Sequence, residues 1–277
     1  MGSIGTLSAE ESPLNEDPIH VLVTGFGPFG QNIVNPSYLI ARSLPANLFL
    51  PRLPPIQIHP HPAPLRVSYQ TVREFVPSLL FSPKQPPSPA ANSHTPGSSG
   101  PGGAEDIPKQ DDVPNFDIVV FMGLAPGRSF FTLETQAHRD GYKWPDVDGR
   151  DMKGDNYWSD KYGAPDVIET GFDVADVWRR WKSRLIEEDV RPSDDAGHYL
   201  CDFIYYTGLC EYWRRDNPDH QADKGGHRPV VFLHVPSGED EEGIKRGTRA
   251  ARGLIIALAE SLTARRKQST GKESIRS

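Results

Sequence analysis

The run Phe116-Asp117-Ile118-Val119-Val120-Phe121-Met122-Gly123 is apolar almost from end to end. A strand with one wet face alternates apolar and polar side chains. One that is apolar at nearly every position must be covered on both faces, the condition of a central parallel strand with helices above and below. Ile19-His20-Val21-Leu22-Val23-Thr24 is a β-branched run that stops at the tight loop Gly25-Phe26-Gly27-Pro28-Phe29-Gly30, and Pro229 to Pro236 reads as a short buried strand.

Helical signals fall between these strands. Asn35-Pro36-Ser37 opens a helix that runs to about Ser43, with proline in its first turn and Pro45 as its stop. A second strand around Ile56 to Arg66 leads into a helix with Val72, Phe75, Val76 and Leu79 on one side. Phe130 to Ala137 reads as a further strand with Glu134 at its middle. Val174 to Ile186 reads as an amphipathic helix, and a last helix spans about Glu241 to Leu262. This alternation predicts an α/β chain folded as a three-layer α/β/α sandwich with a mostly parallel central sheet. Sites in such sheets gather at the carboxyl ends of strands, where Phe26, Gly123, Ala125 and His234 fall.

The expected organisation is one catalytic domain over 18–266. A polar, acidic leader over 1–17 precedes it, and a polar tail over 267–277 follows it. Residues 82–114 are rich in Pro, Ser and Gly, with few apolar side chains to repay ordering, and read as a disordered surface insertion rather than a linker. The formal net charge of −7 gives no electrostatic footprint for nucleic acid. No stretch of 18 or more apolar residues suggests a membrane span. Met1-Gly2-Ser3-Ile4-Gly5-Thr6 fits a myristoylation pattern, but no polybasic segment follows to supply a second membrane signal. Two cysteines and no recognisable secretory segment point to a reducing, cytoplasmic setting.

One of those cysteines, Cys201, lies in Asp195-Ala196-Gly197-His198-Tyr199-Leu200-Cys201, at what reads as the start of a helix. Unpaired N–H groups and the positive end of the helix dipole favour a thiolate there, which makes Cys201 a candidate nucleophile. His234, at the end of its strand, is a candidate base for it. The competing reading treats both as satisfied core residues. On a continuous helix Cys210 would sit ~13 Å along the axis from Cys201, too far for a disulfide. His138 and His198 lie beside these segments, but a histidine in the nucleophile's own helix rarely reaches the line of attack, so His234 is preferred. His59-Pro60-His61 lacks a third ligand at a recognisable spacing, so no metal is expected. Pro28 and two phenylalanines in the Gly25–Gly30 loop would obstruct a pyrophosphate, so no dinucleotide or other cofactor is expected.

Four segments in register resemble the pyroglutamyl peptidase I family, also called pyrrolidone-carboxylate peptidases. They are Thr24 to Gly30 with Asn35-Pro36-Ser37, Gly123 to Arg128 through Glu134, Asp195 to Tyr206, and Phe232-Leu233-His234-Val235-Pro236. The resemblance implies a phosphorylase/hydrolase-like α/β/α sandwich and a cysteine omega-peptidase that removes an N-terminal pyroglutamyl residue through a thioester. It implies Cys201 as nucleophile, His234 as general base and acid, and Glu134 as the group that orients His234. Phe26 and Phe29 would pack on the lactam ring, and backbone groups of Leu124 and Ala125 would pair with its N–H and C=O. The implied partners are peptides with an N-terminal pyroglutamate. Residues 82–114 and the segment from Lys143 to Asp173 depart from the family's compact members, which leaves oligomeric state and specificity open. Two alternatives also stay open: a non-catalytic lactam- or peptide-binding relative, and a cysteine amidase for another blocked acid.

Overall fold

The computed structural model describes residues 17–81, 115–218 and 226–274. The expected leader and insertion thus fall, apart from Asp17, outside the described residues.

A seven-stranded sheet forms the middle layer. In spatial order its strands are β2 (Asn47–Leu48), β3 (Ile56–Pro60), β1 (Ile19–Gly25), β4 (Ile118–Leu124), β9 (Val230–Val235), β5 (Phe131–Glu134) and β8 (Val190–Ser193). Strands β3, β1, β4 and β9 are mutually parallel. The edge strand β2 runs against β3, while β5 runs against β9 and parallel to β8. A separate antiparallel ribbon pairs β6 (Gln136–His138) with β7 (Val167–Glu169).

Strand alternation sorts the core into two halves. Val21 and Val23, Ile118 and Val120, and Val231 and Leu233 point to one face. There they pack against α1 (Pro36–Arg42), α4 (Val174–Arg184) and α6 (Glu241–Ser274). Leu22, Val119, Phe121, Val230 and Phe232 point to the other, against α2 (Tyr69–Leu80) and α5 (Leu200–Asp216). Each such aliphatic or aromatic side chain, fully buried, contributes roughly 1.5–3 kcal/mol. The layer order is that of a three-layer sandwich, as expected. Helix α5 is buried from Asp202 to Trp213, so it carries no polar stripe and reads weakly as an amphipathic helix. It approaches the sheet closely at Gly208, where a Cβ would lie 2.6 Å from the Phe121 ring.

Several boundaries differ from the sequence reading. The expected strand to Arg66 ends at Pro60, because the following prolines cannot donate to a ladder, and only Leu65 returns to form a bridge with Phe26. The expected strand from Phe130 to Ala137 breaks at Thr135, whose N–H turns to the Ser193 carbonyl at 2.7 Å, so Glu134 ends β5 and β6 joins the small ribbon. The last helix passes Leu262 and runs to Ser274, which makes the first part of the expected tail helical. The short elements β2, β7, β8 and α3 (Tyr157–Tyr162) gave no readable periodicity over so few residues. Among the described residues, no helix is long and apolar enough to cross a membrane.

Candidate active site

Parity within two strands builds the site. In β9, His234 shares its face with Phe232 and Val230, so it looks toward α5, and its ring packs on Phe232 with centroids 4.7 Å apart. In β5, Phe131 and Leu133 enter the opposite core, which leaves Thr132 and Glu134 on the side of α5. The antiparallel register sets Thr132 beside His234 and Glu134 beside Phe232. The Glu134 carboxylate therefore meets His234 from one step deeper in the sheet, with Oε1 2.7 Å from Nδ1. Glu134 is 0 % and His234 4 % exposed, so the pair is shielded from screening. Glu134 ends its own strand, but because β5 runs against β9 it lies level with Phe232, two residues short of His234 along that strand.

Helix α5 brings Cys201 to the same place. Gly197 adopts φ +90°, the Asp195 carboxylate accepts the Gly197 N–H at 2.8 Å, and α5 begins three residues later. Its N-cap Tyr199 makes no side-chain capping bond, and Cys201 is the second helical residue. The first N–H groups of a helix lack intrahelical acceptors and point outward from its start. Opposite them is Gly123, paired in register with His234; a Cβ there would lie 2.8 Å from Cys201 Sγ and 2.8 Å from Phe232 Cζ. Gly123 thus leaves the room the sulfur occupies. The other free thiol, Cys210, is fully buried on the same helix.

The thiol itself departs from the sequence expectation. Burial pushes Cys201 up to about 12, Glu134 and Asp202 add to the rise, and the Arg128 guanidinium opposes it. Desolvation and the two carboxylates both favour the protonated thiol, against the thiolate expected at a helix start. Part of Cys201 remains open to the cleft.

Phe26, Phe29, Asn35, Val67, Leu124, Tyr199, Leu200 and Cys201 line a narrow cleft with no charged side chain among them. Phe26 is buried, whereas Phe29 is half-buried and lies 6.2 Å from the Tyr199 ring. Asn35 clamps the loop: its amide donates to the Gly27 carbonyl at 3.0 Å, and its Oδ1 accepts from the Ser37 hydroxyl at 2.8 Å. Ala125 lies apart from this lining. Its N–H is spent on the Val235 carbonyl at 2.9 Å and its carbonyl accepts from Arg128, which leaves Leu124 as the expected backbone partner facing the cleft. Sequence reasoning missed Val67, Tyr199 and Leu200, which reach the cleft only through the packing of α2 against α5.

His138, His59 and His61 are engaged elsewhere, and His198 Nδ1 is buried with no hydrogen-bond partner among the described residues. His138 Nδ1 lies 3.3 Å from Asp202 Oδ2, an ion-pair contact rather than an aligned hydrogen bond, and its backbone N–H donates to Asp202 Oδ1 at 3.1 Å. Burial raises the Asp202 carboxyl, against a lowering from His138. His59 meets His20 at 3.0 Å instead of standing solvated, and His61 meets the Ala63 carbonyl. Among the described residues no group of three or more His, Cys, Asp or Glu could hold a metal ion. Two roomier hollows, one beside His227 and Arg265 and one beside Leu39 and Ile244, contain none of Cys201, His234 and Glu134.

In the segment from Lys143 to Asp173, Asp146 is a structural acceptor for the N–H groups of Tyr69, Asp148 and Arg150, at 2.8, 2.9 and 3.0 Å. Asp155 pairs with both terminal nitrogens of Arg73 at 2.9 Å. Trp144 stands 64 % exposed.

Comparison with known proteins identifies the family of the chain. The family model described as Pyroglutamyl peptidase matches residues 105–247. Pyroglutamyl-peptidase 1 of Homo sapiens is 28 % identical over 252 residues, which cover 91 % of this chain and 93 % of that one. Pyroglutamyl-peptidase 1 of Rattus norvegicus is 30 % identical over 235 residues, covering 85 % and 87 %. Among solved structures, pyrrolidone carboxyl peptidase from the hyperthermophile Pyrococcus furiosus superposes with a TM-score of 0.58 at 21 % identity. That match covers 88 % of this chain and 100 % of the other, a likeness of fold.

Proposed function

The chain belongs to the pyroglutamyl peptidase family, and we propose that Cys201, His234 and Glu134 are the groups with which it removes an N-terminal pyroglutamyl residue from peptides. The observation that carries this reading is the buried 2.7 Å contact between Glu134 Oε1 and His234 Nδ1. With Nδ1 held by a carboxylate, Nε2 is the nitrogen left to exchange a proton with the nucleophile. The first step is general-base attack: His234 takes the Cys201 proton as Sγ adds to the pyroglutamyl carbonyl carbon. Glu134 stabilises the imidazolium that forms.

The tetrahedral oxyanion faces the start of α5, where outward N–H groups near Cys201 would donate to it. Collapse breaks the C–N bond, and His234 gives its proton to the departing amine. The thioester left on Cys201 is then hydrolysed by water activated by His234, which releases pyroglutamic acid and restores the thiol.

The cleft suits the lactam end of such a peptide. A cyclised N-terminus carries no ammonium and calls for no carboxylate in the pocket. Phe26 and Phe29 would cover the ring faces, and the backbone of Leu124 would pair with the lactam amide. A single catalytic domain over 18–266 and a cytoplasmic setting belong to the same proposal, the latter supported by two cysteines that both stand free. Family membership does not favour a binding-only relative or an amidase for another acid.

The test is hydrolysis of a fluorogenic pyroglutamyl amide under reducing conditions by the parent chain and by Cys201→Ser, His234→Ala and Cys210→Ser. Turnover lost in the first two and kept in the third is the expected result. Turnover that survives Cys201→Ser would overturn the assignment.

A further inference from the structure

We infer that Arg128 is a positioning residue for the reaction, which holds the His234-facing oxygen of Glu134 and balances its charge. The inference rests on the assignment of Cys201, His234 and Glu134 above. Arg128 Nη1 lies 3.1 Å from Glu134 Oε1, the same oxygen that meets His234 Nδ1, and 3.0 Å from Thr132 Oγ1. The two cationic or proton-bearing partners of this carboxylate thus converge on one atom. Glu134 Oε2 is buried with no hydrogen-bond partner, so Arg128 and His234 alone fix the carboxylate side chain among the described residues.

The local chain aims the guanidinium at this atom. Ala125-Pro126-Gly127-Arg128 is a tight turn with Gly127 at φ +84° and the Arg128 N–H on the Ala125 carbonyl at 3.2 Å. Proline second and a left-handed glycine third are the residues a type II turn requires. The turn folds Arg128 back over β5, where Thr132, itself in register with His234, accepts its second bond.

Charge balance gives the arrangement its purpose. With Glu134 ionised and no cation beside it, the Cys201–His234–Glu134 cluster would carry a net negative charge both before and after the proton moves from sulfur to imidazole. That charge would sit in a buried place where an unpaired carboxylate is costly. Arg128 brings the cluster to neutrality in both states, so the negative charge that develops on sulfur and then on the oxyanion forms against a balanced background. The charged and titratable groups that act on Cys201 are Glu134 and Arg128 from the β4–β5 side, with His234 of β9 held on the same Glu134 oxygen. Tyr199 and Asp202 face it from its own helix, with His138 behind Asp202. Of these, Arg128 is the cation that opposes the two carboxylates. Its side chain is 30 % exposed, so a small cation can reach its place from solvent.

The experiment compares Arg128→Ala, Arg128→Lys and Thr132→Val with the parent on the pyroglutamyl amide across pH, with thermal unfolding as a control for folding. For Arg128→Ala the expected result is a fall in kcat of about 10²-fold with KM nearly unchanged. Its pH–rate profile should move to the alkaline side, because removal of a cation makes the Cys201 thiol harder to ionise. Arg128→Lys should keep the parent profile and recover most of the rate, guanidinium ion added to Arg128→Ala should restore activity, and Thr132→Val should show a smaller change of the same kind. Equal losses in the Ala and Lys variants with no shift of profile and no rescue would overturn the inference, as would a rise in KM alone. Those outcomes leave the nucleophile assignment intact so long as Cys201→Ser remains inactive. Survival of turnover in Cys201→Ser would instead remove the premise.

Discussion

The two faces of the sheet are made by the same strands and do different work. In β9, Val231, Leu233 and Val235 face α1, α4 and α6 in an aliphatic core, where even the Trp181 indole N–H is satisfied by the Ala250 carbonyl at 2.9 Å. Their neighbours Val230, Phe232 and His234 face α5. There the layer turns aromatic and admits Thr132, Glu134, Asp202 and His234 as buried polar groups. A one-residue step along a strand therefore separates a position that only packs from one that handles a proton. Buried polar groups are costly unless paired, and those of the α5 face are held in pairs: Glu134 with His234 and Arg128, Asp202 with His138.

Substitutions on the two faces should separate activity from stability. The largest effect is expected from Glu134→Gln, which keeps the shape but cannot stabilise the imidazolium. Its kcat should fall by about 10³–10⁴ with a modest change in melting temperature, as read by steady-state kinetics beside thermal unfolding. Gly123→Ala comes next, since its methyl would press on both Cys201 Sγ and the Phe232 ring at 2.8 Å. Displacement of the sulfur should cost about 10² in rate, and overpacking should cost about 1–3 kcal/mol of stability. Loss of stability with full activity in that variant would show that the sulfur does not need this space.

On the opposite face, Leu233→Ala should invert the pattern. Its side chain is fully buried, so stability should drop by roughly 2–5 kcal/mol in denaturant titrations. The specific activity of the folded protein should stay within about two-fold of the parent, as expected for a site only one residue from His234 in sequence but across the sheet from it. A tenfold fall in kcat at low temperature would break the distinction between the faces.

The smallest effect concerns pH. Burial holds both the Cys201 and Cys210 thiols up at about 12 in the folded chain, against about 8.5 for an unfolded cysteine. Between those values the unfolded state releases protons that the folded state keeps. The stability these thiols contribute is therefore fully present below about pH 8.5 and is lost as pH rises toward 12. The melting temperature should decline from pH 8 to pH 10, and less steeply in Cys210→Ser; an equal decline would trace the slope to other groups.

The layer architecture was legible because apolar strands and helical spacing report burial directly. The wholly apolar β4 and the β-branched β1 and β9 stand where the pattern placed them. Cys201, His234 and Glu134 were legible as residue types in register, and the contact between the last two is seen at 2.7 Å. Less could be read where an outcome depends on several segments at once. The break at Thr135 follows from a bond to Ser193, far along the chain. The direction of the Cys201 shift is another such case: a helix start favours a thiolate, but burial and the nearby Glu134 and Asp202 carboxylates reverse it. Arg128 lay in plain view beside Pro126 and Gly127, yet its role depends on a turn that brings it back over β5.

The most direct test of the account is acid quench of the parent enzyme during turnover of a pyroglutamyl peptide, followed by peptide mass spectrometry of both cysteines. The account predicts a pyroglutamyl thioester on Cys201, absent from Cys210 and lost when His234 is replaced by alanine, because His234 serves the formation of the thioester as well as its hydrolysis. Turnover without any adduct on Cys201, or an adduct on another residue that builds up and decays with turnover, would contradict it.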